Sequence, residues 1–143
     1  MPGKMTEKEL ESFLDSKPGW MMLTSIGKDG YPHTVPIGYF REGDRIFMGC
    51  RDKTQKVVNI ERNPKVSLAL EDGDTMQNLR GILLRGEAQV VRAEDERLVI
   101  SRLAAKLRGA PESEWPVSAS PGSVFIKLEN FNVVSWDYSK PLG

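Results

Sequence analysis

The chain has 143 residues, and its 20 Lys and Arg balance its 20 Asp and Glu, so the formal net charge is zero. That length suits one domain with a proper core, and the balance argues against nucleic acid as a partner, since such domains carry a basic excess. One cysteine, Cys50, and one histidine, His33, exclude an internal disulfide, a Cys/His metal cluster and any centre built on several imidazoles.

The longest apolar runs, residues 20–23 and 82–84, fall far short of the ~20 residues of a membrane span. No secretory leader pattern opens the chain, and a cytoplasmic protein with no membrane partner is expected. With so few acid–base side chains, an enzyme of this composition would rely on a bound cofactor.

Residues 1–5 carry no element signal and read as a frayed end. Thr6 and Glu9 have capping-box spacing, and Leu10, Phe13 and Leu14 form one helical stripe that Lys17-Pro18-Gly19 ends. A strand over 20–26 is followed by the Asp29-Gly30 turn and a second strand over 32–40. Pro36 and Gly38 confine that second strand to an edge or a bulge. A third strand covers 45–48.

The next stretch, residues 49–56, places Arg51, Lys53 and Lys56 around Thr54, which can cap a helix that Pro64 stops. A strand running through a basic turn into a helix N-terminus reads either as an anion site or as a solvated basic turn. On the helix, Val57, Val58 and Ile60 are expected to face inward. Residues 65–70 alternate cleanly, with Val66, Leu68 and Leu70 on one side. The acidic stretch 71–74 lacks the ligand spacing of a calcium loop and reads as a turn.

A long strand over 80–91, bent at Gly86, places Arg80 and Arg85 on opposite faces. Residues 93–109 form a helix with Leu98, Val99, Leu103 and Leu107 near one face. Residues 110–122, rich in Pro and Ser, are a loop, and strands over 123–128 and 132–136 close the chain around Asn130. The pattern is mainly β, an α+β fold: an antiparallel, closed or partly closed barrel of six to seven strands with helices on its rim.

Several pieces then fall in one family's order. They are residues 29–36 (DGYPHTVP), 43–46 (GDRI), 55–68 (QKVVNIERNPKVSL), 71–75 (EDGDT), 79–81 (LRG), 86–88 (GEA) and 135–137 (SWD). Across roughly residues 10–138 the chain resembles the pyridoxamine 5'-phosphate oxidase-like family of split-barrel flavin and deazaflavin binders. The resemblance implies a homodimer with cofactor sites at the subunit interface, holding FMN or the deazaflavin coenzyme F-420. It places the cofactor phosphate near Arg51, Lys53, Thr54, Gln55 and Lys56, with Cys50 beside them. Thr34, Val35 and Pro36 would run under the isoalloxazine ring. Asn78, Leu79 and Arg80 would reach in from the partner subunit, and Trp136 would close the site.

Two departures bear on the substrate. Gln55 stands where the vitamin oxidase has an arginine, and residues 136–143 lack that enzyme's arginine-containing motif. The implied function is a flavin-type oxidoreductase exchanging hydride or electrons with a small organic substrate, other than pyridoxamine phosphate. The alternative is a non-catalytic flavin or haem binding or storage protein, for which His33 is the one available imidazole. His33 also reads as a surface residue, Cys50 as a packing residue, and Trp136 as barrel core. Trp115 reads as lining a substrate opening or a dimer interface.

Overall fold

The computed structural model describes residues 2–141; Met1, read above as part of a frayed end, and Leu142 and Gly143 of the C-terminal stretch lie outside the described residues. The capping box forms at α1 (Glu7–Ser16): Glu9 N–H donates to Thr6 Oγ1 and Thr6 N–H donates to Glu9 Oε1. This helix buries Phe13 and Leu14 and ends at Lys17, which is left-handed at φ 48°. The segment before it is tied down rather than frayed. Gly3 and Asp137 exchange two backbone hydrogen bonds of 2.8 and 3.1 Å, and Met5 N–H donates to Ser135 Oγ.

Strands β1 (Met21–Ile26) and β2 (Pro32–Ile37) form the expected hairpin, with Gly30 at φ 86° in its turn. Gly38 ends β2, and the Trp20 ring lies 3.4 Å from where a Cβ would stand there. The single strand expected over 32–40 is therefore two, with β3 (Phe40–Glu42) starting afresh. This adds one strand, giving eight in the sheet. Strand β4 (Arg45–Arg51) runs three residues past its expected end, so Cys50 and Arg51 lie on a strand rather than in the basic turn. The remaining elements are α2 (Gln55–Arg62), β5 (Lys65–Asp72), β6 (Arg80–Val91), α3 (Glu94–Leu107), β7 (Ser123–Leu128) and β8 (Asn132–Asp137).

The strand order is β2-β1-β5-β6-β7-β4-β3, with β8 pairing the first half of β6. Strand β6 makes the barrel. It pairs with β5 as far as Glu87 and with β7 from Ala88 onward, so one strand serves both halves. The handover sits beside Gly86, where a Cβ would meet Leu128 at 3.0 Å. The fold is an α+β split barrel: β2 ends one half, β3 and β4 end the other, and β2 lies beside β4 across the split.

Inside are Leu23, Met48, Leu68, Ile82, Leu84, Ile126 and Leu128, all fully buried. Each such side chain stabilises the fold by roughly 2 kcal/mol. Outside the first half, Pro36, Met22, Ala69, Leu83 and Val134 align in one cross-strand row. Met22, Val134 and the neighbouring Trp20 are exposed.

The helices depart from expectation at particular residues. Helix α2 buries Val57 and Ile60 but also Asn59, while Val58 is exposed. Helix α3 turns Ile100 and Leu103 onto Phe47, Val91 and Phe125, and leaves Val99 and Leu107 in solvent. Among the described residues no helix is long and apolar enough to cross a membrane.

Candidate functional site

Where β4 gives way to α2, three residues set the backbone. Asp52 N–H donates to Gly122 O at 3.0 Å. Asp52 Oδ1 accepts the Lys53 N–H at 2.7 Å, and Lys53 takes a left-handed turn at φ 65°. Thr54 occupies the N-cap position but does not cap. Its hydroxyl donates backward to Arg51 O at 3.1 Å. The first turn of α2 is thus left with neither a side-chain cap nor an acidic residue. Its open N–H groups and dipole favour an anion.

The cations around this turn are available. Among the described residues Arg51, Lys53 and Lys56 form no salt bridge, whereas Arg92 is taken by Asp52 at 2.5 Å and Glu61 at 2.6 Å. The hydrogen bond from Arg92 holds the Asp52 carboxyl below its ordinary range. Cys50 is half-buried at the end of β4, and burial pushes its thiol up, which suits packing rather than reactivity.

Beside this turn lies the split. Thr34, Val35 and Pro36 belong to an end strand whose outer edge has no strand partner among the described residues. On the facing half, β3 covers β4 only as far as Phe47, so the stretch from Met48 to Arg51 is uncovered on that edge. Strand β2, which carries Thr34–Pro36, and strand β4, whose end carries Cys50 and Arg51 into the turn before α2, are neighbours across this slot.

The structure does not bring Asn78, Leu79, Arg80 or Trp136 there within one chain. Strand β5 leads away from α2 for eight residues, about 25 Å at strand rise, before the turn that holds Asn78. Asn78 Oδ1 closes that turn by accepting from Asp74 and Thr75 N–H. Leu79 O accepts Tyr138 N–H, and Arg80 pairs with Asp72 at 3.0 Å with its guanidinium 5.0 Å from the Phe13 ring centroid. Trp136 lies against Gly81, where a Cβ would stand 2.5 Å from the ring.

Two features escaped the sequence reading. Gln55 Nε2 donates to Asn59 Oδ1 at 2.7 Å, and Asn59 Nδ2 donates to Ser25 Oγ at 3.1 Å, with Asn59 and Ser25 fully buried. His33 Nδ1 is buried nearby without a partner among the described residues, and His33, Gln55 and Asn59 line a cleft of about 640 Å³ with the β1–β2 turn. The only sequence signal was an asparagine one helical turn after Gln55. A larger groove, about 1020 Å³, opens past the end of β2 between β3, α3 and the 116–121 loop. Phe40, Gly49, Leu107, Pro116 and Phe125 give it an apolar lining, with Arg108 among its walls. Trp115 is not among its lining residues: its Nε1–H donates to Ala110 O and ties the loop to itself.

The family model described as pyridoxamine 5'-phosphate oxidase matches residues 6–134. A conserved hypothetical protein, Rv2991 from Mycobacterium tuberculosis, superposes with a TM-score of 0.78 at 28% identity, covering 94% of this chain and 86% of that one. An F420 reductase superposes at 0.64 with 23% identity over 87% of this chain and 94% of that one. A FAD-binding protein from Mesorhizobium loti superposes at 0.71 with 17% identity over 94% and 96%. None of the curated proteins matches the chain in sequence.

Proposed function

Because the chain belongs to the pyridoxamine 5'-phosphate oxidase family, we propose that it binds FMN, or the deazaflavin coenzyme F-420, and acts as an oxidoreductase on a small organic substrate. The observation that carries this reading is the uncapped first turn of α2, with three cations free of carboxylate partners among the described residues, beside the open edge of β2. The residues present fit a phosphate-bearing planar group: the anion has donors and charge at one end of the slot, and the ring has strand edges along it. Solved structures of the same fold, described as an F420 reductase and a FAD-binding protein, support a flavin-type ligand.

In this reading Arg51, Lys53, Lys56 and the α2 N–H groups hold the phosphate. The backbone of Thr34–Pro36 supports the ring, and Pro36, lacking an N–H, supplies only its carbonyl. The cofactor supplies the hydride or electron transfer. The apolar groove beyond Gly38 and Gly49 takes the substrate next to the ring. Gln55 contributes an amide engaged with Asn59 rather than a charge, and pyridoxamine phosphate is not the substrate proposed. The apolar row from Pro36 to Val134, with Trp20, is the proposed homodimer face, and the dimer carries Asn78, Leu79, Arg80 and Trp136 of one chain toward the slot of the other.

Reconstitution tests the reading. The protein is loaded with FMN and, separately, with F-420, desalted, and its absorption spectrum recorded. A retained flavin or deazaflavin band, bleached by a reductant and restored by a small organic acceptor, is the expected result. Retention of neither cofactor sinks it. A Soret band in the protein as isolated would favour the haem-storage alternative, and a cofactor band without turnover would favour a carrier.

A further inference from the structure

The anion loop carries a carboxylate in its middle. Asp52 lies between Arg51 and Lys53, and Glu61 projects from the far turn of α2. Left to themselves, these two groups would offset much of the charge of the three cations and repel an anion. Arg92 engages both, through Nη1 on Asp52 Oδ2 and Nη2 on Glu61 Oε1. We propose that Arg92 is the positioning residue of the anion site, an inference that rests on the cofactor-phosphate reading above. It is not a ligand, because its guanidinium is already committed to two carboxylates.

Its action runs through Asp52. With Oδ2 held by Arg92, Oδ1 is turned onto Lys53 N–H, and that bond holds the left-handed residue from which the chain enters α2. The second bond, to Glu61, ties the same guanidinium to the helix whose N-terminus receives the anion. Arg92 is itself fixed. It follows Val91, which pairs with Phe125 of β7, and its carbonyl accepts Arg97 Nε–H at 2.9 Å. Arg97 Nη1 in turn donates to Ser120 O at 2.8 Å, while Asp52 N–H donates to Gly122 O. The two arginines thus fasten the anion loop to the segment that walls the larger groove, so the phosphate end and the substrate wall share one support.

Titration of the full chain with FMN and with F-420, with inorganic phosphate as competitor, tests this in four proteins: unmodified, Arg92→Met, Arg92→Lys, and Arg92→Met with Asp52→Asn. Arg92→Met is expected to weaken cofactor binding about tenfold, the scale of one partly exposed charge at a helix end. Adding Asp52→Asn is expected to recover most of that loss, because it removes the repelling charge while its amide oxygen still accepts from Lys53 N–H. A purely structural defect would not be rescued this way. Arg92→Lys, which keeps the charge with poorer geometry, is expected to fall between. Unmodified affinity in Arg92→Met, or a double variant as weak as the single one, overturns the role of Arg92 and leaves the site standing. Should Arg92→Met fail to fold, Asp52→Asn alone decides: it should bind at least as tightly as the unmodified chain, and weaker binding overturns the proposal. Absence of binding in the unmodified protein overturns the site and this inference together.

Discussion

Asn59 Nδ2 donates to Ser25 Oγ across 3.1 Å, joining α2 to β1 through two fully buried side chains. A buried amide is tolerated only when its bonds are made. Asn59→Leu leaves Ser25 and Gln55 without this partner and should cost about 2 kcal/mol in urea unfolding. Ser25→Ala removes one bond from a smaller group and should cost less. An Asn59→Leu protein as stable as the parent would show that the amide is dispensable.

Gly81 is required by the ring opposite it. A Cβ there would stand 2.5 Å from Trp136, so Gly81→Ala must displace the indole. Overpacking of this kind costs roughly 1–3 kcal/mol, and the tryptophan emission should shift with it. An unchanged spectrum and midpoint would mean that Trp136 is free to move.

The cation scan separates the ends of α2. Lys56→Ala should weaken FMN or F-420 binding by roughly three- to tenfold, as should Arg51→Ala and Lys53→Ala. Lys65→Ala, at the start of β5 beyond the other end of the helix, should leave binding unchanged. Equal losses at all four positions would point to a diffuse field instead of a site.

Tyr39 reports on the packing of α1. Its hydroxyl donates to Leu14 O, and burial, aided by the nearby Asp15 charge, pushes it up to about 12. A raised acid favours the protonated form in the folded state. Its contribution is therefore full below the ordinary tyrosine range, ~10, and is lost as pH rises through about 12. Spectrophotometric titration should find one tyrosine ionising late, and Tyr39→Phe should abolish that phase at a cost of about 1 kcal/mol.

The proposed dimer face gives the last expectation. Met22→Lys or Val134→Lys places charge within the apolar row and should convert a dimer to a monomer in light scattering. If the residues from the partner complete the site, cofactor affinity should fall with it. A monomeric parent protein would remove the interface altogether.

Much of the fold was legible because its signals are local. The capping box of Thr6 and Glu9, the Asp29-Gly30 hairpin and the alternation of Val66, Leu68 and Leu70 all formed as read. Strand β2 proved an end strand, one of the two outcomes that Pro36 and Gly38 allowed. The helices were read less well. A 3.6-residue period says which residues share a face but not how wide a face the sheet covers, and so Val58, Val99 and Leu107 came out exposed.

The sequence by itself determined the ingredients of the site: a basic turn opening a helix, a proline-marked edge strand, and an arrangement of pieces belonging to one family. Only the tertiary structure decided how they are used. It turned the Thr54 hydroxyl away from the helix, so that the first turn stays open. It set Asn59 against Ser25, 34 residues away, and Arg92 against Asp52, 40 residues away. The reason is physical. Caps and turns are fixed by neighbours a few bonds apart, whereas the partner of a buried amide or a guanidinium is fixed by the sheet that carries it there, and that pairing leaves no periodic trace in the chain.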